Sequence, residues 1–197
     1  MKRLSTALSF AVLFAGSAGA AAFATPVSAQ ARAAAPAAPS ALTADMLRSI
    51  DEVQEKLTGL GNALSAEQYA WRPMEGVRSA GEVLMHVAAD NYLLPVMMGV
   101  PAPAATKITA DYKTAQAFEQ QKLDKAATLA ALAASFDHLE KAVASVPESR
   151  MNDKLQVFGQ EMTVRGFLLM STTHLSEHLG QMIAYSRSNK VTPPWSR

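Results

Sequence analysis

Residues 163–189 read TVRGFLLMSTTHLSEHLGQMIAYSRSN, a long run without proline whose apolar positions recur at helical rather than alternating spacing. At about 100° per residue, with His174 as origin, His178 falls near +40°, Gln181 near −20° and Tyr185 near +20°. Phe167 and Met170 extend the same stripe toward the N-terminus. A helix apolar on most of its sides is expected to be the most buried of its domain. Two imidazoles one turn apart on such a face are half of a metal site. The alternative is a pair of core histidines satisfied by hydrogen bonds, and this stretch alone leaves both open.

Working outward, three more segments have helical periodicity. The first opens at Thr43-Ala44-Asp45 and places Met46, Ile50, Val53, Leu57 and Leu60 on one face, with Gly59 and Gly61 as its expected end. The second begins at Ser79, an N-cap with Glu82 at the third position, and runs to about Met98 with Pro95 in its last turn. The third runs from Ala126 to Val146 behind Asp124, with Leu129, Leu132, Phe136, Leu139 and Val143 on its stripe. Val100 to Phe118 reads as a long connection, a candidate rim or lid. Leu155 to Val164 alternates around Gly159, which predicts a small hairpin. Trp71 reads as a plug for the end of the core, and His138, off its helix stripe, as a solvated surface histidine. The expected fold is all-α, a four-helix bundle with long inter-helix loops.

Residues 1–29 have the pattern of a secretory signal, with Lys2 and Arg3 before a short apolar region and a small-residue cleavage site at Val27-Ser28-Ala29. Residues 30–42, rich in Ala and Pro, read as a disordered spacer, and 43–197 as the bundle domain. The expected product is exported, periplasmic or secreted after cleavage near Ala29, without stable membrane insertion. The chain has no cysteine, so neither a disulfide nor a thiol nucleophile contributes. Its formal charge of +1 becomes −1 without Lys2 and Arg3, since 16 basic then face 17 acidic residues. No basic stripe with interleaved aromatics occurs, which argues against a nucleic-acid partner.

His174 to His178 also spells His-x-x-Glu-His, the motif of one metallopeptidase class. That class takes a further carboxylate ligand downstream, and Leu179 to Arg197 contains neither Asp nor Glu. The third ligand must then come from upstream. His86 lies at the edge of the apolar arc of the second helix, with Glu82 near −40° and Asp90 near +40° of it at about 100° per residue. Two ligands from one helix and one from a facing helix is how bundle sites are assembled. Three neutral imidazoles leave positions open for water or substrate, as in a catalytic site.

At these residues the chain resembles the DinB/YfiT-like metal-binding helical bundles. The resemblance rests on Trp71-Arg72-Pro73, on Val77-Arg78-Ser79-Ala80-Gly81-Glu82-Val83-Leu84-Met85-His86, and on His174-Leu175-Ser176-Glu177-His178-Leu179-Gly180-Gln181. Tyr185, Arg187 and Pro193-Pro194 close it. It implies a four-helix bundle, often dimeric, with a divalent ion such as zinc or nickel on His86, His174 and His178. Members of that family include thiol-dependent transferases and metal-dependent hydrolases. Glu177 and Leu179 stand where members often have His or Arg, which implies a different substrate pocket.

The expected function is therefore metal-dependent hydrolysis or group transfer on a small-molecule substrate. Asp90 and Glu177 are candidates for a general base, and Gln181 for a group that orients a ligand or a water. The alternative is a non-catalytic exported module in which the ion staples the bundle. A flat face of small residues, Thr173, Ser176, Gly180 and Ala184, is where a homodimer is expected to form.

Overall fold

The computed structural model describes residues 40–196. The signal segment and residues 30–39 of the spacer lie outside them.

Four long helices form an all-α bundle: α1 (Ala41–Ala63), α3 (Ala80–Met97), α5 (Lys125–Ala144) and α6 (Val164–Ser188). Between them lie the single-turn α2 (Ala66–Tyr69), the short α4 (Tyr112–Glu119) and an antiparallel hairpin of β1 (Lys154–Val157) and β2 (Gln160–Thr163). α3 packs on α5, α6 and α4, while α1 closes the bundle against α5 and α6. Leu57, Leu60, Leu84, Leu132, Phe136, Leu139, Phe167, Leu168 and Leu175 interlock in the core, each no more than 2% exposed. Burying such a side chain fully is worth roughly 1.5–3 kcal/mol, so this face and not helix propensity holds the bundle together. Among the described residues no helix is long and apolar enough to cross a membrane.

Several expectations are corrected. α1 starts at Ala41 with Ser40 as its cap, two residues into the segment read as spacer. It runs through both glycines to Ala63. Gly61 is there for close approach: a Cβ at that position would meet Leu129 Cδ2 at 2.8 Å and the Tyr69 hydroxyl at 3.0 Å. α6 is not the most buried helix. That is α3, buried at Val83 and from Leu84 through Pro95 without a break, because it is flanked by α5, α6 and α4. α6 leaves Leu169 and Met170 exposed.

The connection from Val100 contains α4, capped by Asp111, whose side chain accepts from Lys113 N at 3.0 Å. Ala115 and Phe118 pack it onto Ala89, Tyr92, Leu93 and Ile108, a small second core beside α3. The hairpin forms with a two-residue turn, Phe158-Gly159, both at positive φ (51° and 79°). Trp71 packs on the end of the core, its ring edge-on to Tyr185 at 5.3 Å. His138 is half-buried rather than solvated, lying 5.4 Å from the Tyr92 ring.

Candidate metal centre

The start of α3 is set by a reciprocal capping box. Ser79 Oγ accepts from Glu82 N at 3.3 Å, and the Glu82 carboxylate accepts from Ser79 N at 2.9 Å. Such a cap stabilises a helix by about 1 kcal/mol and fixes its phase. His86 and Asp90 then stand one turn apart on the side of α3 that meets α6, each 7% exposed. α6, capped by Thr163, brings His174 and His178 to the same place, both half-buried.

One donor atom from each of His86, Asp90, His174 and His178 lies within 4.8 Å of all the others. His174 Nε2 is 2.8 Å from Asp90 Oδ2 and 3.2 Å from His178 Nε2, and His86 Nε2 is 3.2 Å from the same Asp90 oxygen. Three imidazole nitrogens and one carboxylate oxygen thus converge on one point. That donor set could hold a metal ion. The residues fit the group.

The outward nitrogens show how the rings are held. His86 Nδ1 donates to Glu119 Oε2 at 2.9 Å, and Arg78 pairs with the same carboxylate. Burial pushes the Glu119 carboxyl up, but these two partners outweigh it and hold it at about 2. An ionised carboxylate only accepts, so the proton of neutral His86 is on Nδ1 and its Nε2 lone pair faces the cluster.

His178 is fixed by a longer relay. The Arg78 carbonyl can only accept, so the Tyr185 hydroxyl donates to it, at 3.1 Å. The hydroxyl in turn accepts from Gln181 Nε2 at 3.0 Å, which leaves Gln181 Oε1 facing His178 Nδ1 at 3.0 Å. His178 therefore carries its proton on Nδ1 and also turns a lone pair inward. Burial pulls its pKa down, with Gln181 opposing. His174 moves the other way: the hydrogen bond to Asp90 raises it, against burial. Asp90 Oδ2 and His178 Nε2 both lie against His174 Nε2, at 2.8 and 3.2 Å. Nδ1–H anchored outward with Nε2 free inward is the arrangement of metal-ligating histidines.

A cavity of about 370 Å³ opens on this centre. His86, Asp90 and His174 form its floor, and Leu94, Tyr112, Phe158 and Met170 its walls. Glu177 does not line it; its side chain is 70% exposed and lies 3.7 Å from His174 Nδ1, on the side away from the convergent nitrogens. Gln181 stands behind His178 and not in the cavity. Sequence reading missed Glu119, Arg78, Tyr112 and Phe158. Their signals are weak, since Glu119 lies 33 residues from His86 and no spacing rule links them. The Thr173, Ser176, Gly180 and Ala184 face is exposed.

A family model described as the DinB superfamily matches residues 49–182, more than half of the chain. Two crystal structures of proteins described as DinB-like resemble it. One, from Bacillus subtilis, has a TM-score of 0.57 and 17% identity, covering 75% of this chain and 93% of that one. The other, from Bacillus cereus, has a TM-score of 0.58 and 18% identity, covering 76% and 93%. At such identities the likeness is one of fold. No match is found among curated proteins.

Proposed function

The chain belongs to the DinB superfamily, and on that footing we propose that it binds one divalent cation through His86, His174, His178 and Asp90 and acts as a metal-dependent hydrolase or transferase on a small molecule. The observation behind this reading is the convergence of four donor atoms within 4.8 Å, at the floor of an open cavity. When bound, a divalent ion supplies Lewis acidity. The protein's own residues hold the His86 and His178 rings in the ligating tautomer, line the opening with apolar side chains, and present a carboxylate to the substrate side. Among the described residues Asp90 is the one carboxylate lining the cavity, so it either completes the ligand set or takes a proton from the substrate. Glu177, facing solvent, lacks the reach to do so in this conformation. An ion that only stapled the bundle would need no opening at its ligands, and His86, Asp90 and His174 all face one.

Export through residues 1–29 and dimerisation through the exposed small-residue face of α6 belong to the same proposal. Mass of the mature chain in the periplasm or medium, and its mass in solution, check them.

The decisive measurement is elemental analysis of protein purified without a metal-binding tag, for wild type and for His86→Ala, His174→Ala and His178→Ala. About one ion per chain in wild type, lost in each variant, is expected; full retention in His86→Ala overturns the assignment. Metal-dependent turnover in a panel of esters, amides, phosphoesters and thiol conjugates would separate the enzyme from a non-catalytic binding module.

A further inference from the structure

The walls of the cavity tell more about the substrate than its floor does. Phe158 occupies the first turn position of the hairpin at φ 51°, where asparagine, aspartate or glycine is the ordinary choice. A bulky residue there stores backbone strain, and its ring gains little from the core, since Phe158 is 60% exposed. What the conformation does is aim the ring at the cavity mouth, edge-on to Tyr112 at 6.4 Å. Tyr112 is itself 42% exposed, and Met170, 36% exposed, lies on the same wall. Two rings from separate elements, α4 and the hairpin, thus converge with a thioether above the convergent histidines. Among the described residues neither lysine nor arginine lines the cavity, so no side chain of its walls pairs with a phosphate or carboxylate tail. Its volume of about 370 Å³ admits a compact molecule only.

We infer that this site selects a small substrate carrying an uncharged planar aromatic or unsaturated group, held by Tyr112, Phe158 and Met170 while its polar head reaches the floor at His86, Asp90 and His174. Stacked and edge-on ring contacts and sulfur–ring contacts supply the affinity, without charge. For the polar head this rests on the metal-centre reading above; for the apolar group it stands on the walls alone.

The test uses two probes with one chelating head, benzohydroxamate with a phenyl ring and acetohydroxamate with a methyl group, titrated calorimetrically into zinc-loaded protein. Zinc content is measured first, in wild type and in Phe158→Ala and Phe158→Asn, of which the second suits the turn and guards against misfolding. The expected result is that wild type binds benzohydroxamate about tenfold tighter than acetohydroxamate. In both variants that gap should close to about threefold or less, with acetohydroxamate affinity unchanged. Equal affinities in zinc-loaded wild type, or a gap that survives both variants, overturn the inference while leaving the metal centre standing. If zinc does not bind at all, the metal reading fails on its own, and the pocket is judged in metal-free protein. There benzyl alcohol should shift the Met170 methyl resonance in wild type and not in Phe158→Ala; no shift in wild type overturns the inference.

Discussion

The carboxylate of Asp90 stands 2.8 Å from Nε2 of His174, joining α3 to α6 across 84 residues of chain at the point where the histidines converge. Without a cation this is a pairing that favours protonated His174, and its pKa is raised accordingly. A raised folded-state pKa gives stability that is fully present below the unfolded value, about 6.5, and is lost as pH rises through the folded value. Metal-free wild type should therefore lose part of its stability over Asp90→Asn as pH climbs from 6 toward 9, in urea melts at successive pH values. The metal-loaded protein should show the opposite trend, because protons compete with the ion for the same nitrogens.

Glu119 is the acidic counterpart. Its carboxyl is held at about 2 by His86 and Arg78. A depressed folded-state pKa gives stability present above the unfolded value and lost as pH falls through the folded one. The advantage of wild type over Glu119→Gln should shrink between about pH 4.5 and pH 2. At neutral pH the same variant should bind zinc about 10–100-fold more weakly, as read by competition with a chromophoric chelator, because His86 exchanges an ionised, acceptor-only partner for a neutral amide that can also turn its donor toward the ring.

Tyr185→Phe tests the relay behind His178. Without the hydroxyl, Gln181 is free to flip its amide and offer a donor to His178 Nδ1. Zinc affinity should fall by about tenfold while the far-ultraviolet dichroism stays that of a helical bundle. An unchanged affinity would show that the relay is not what orients the ring.

Chelation should lower Tm of the loaded wild type by an amount that grows with the free metal concentration beforehand, following about 2.7 kcal/mol at a hundredfold excess over Kd. His86→Ala should show no chelator-dependent shift in calorimetry.

Gly61→Ala should destabilise the bundle by about 1–2 kcal/mol in denaturant melts, although alanine is the better helix former. The added Cβ presses on Leu129, Leu84 and the Tyr69 hydroxyl, which donates to Gly61 O at 3.0 Å. Phe158→Asn should move the other way, raising stability by about 1 kcal/mol, since asparagine tolerates the positive φ that phenylalanine resists.

The four long helices were legible in the order of residues, because a stripe repeating every 3.6 residues over many turns has one cheap way to leave water. That order also determined which rings face inward: His174 and His178 share a face at a spacing of four, and Ser79 and Glu82 set the phase that turns His86 the same way. What surrounds them was set by how the helices pack. Asp90 belongs with the histidines because α3 and α6 cross there, and Glu119 reaches His86 because α4 folds back along α3. The tautomer of His178 depends on a carbonyl at Arg78, and the cavity wall on a strained turn at Phe158. Helical phase is local and repeats along the chain, so it can be read there. A hydrogen-bond partner on another element is set by packing, and no spacing rule encodes it.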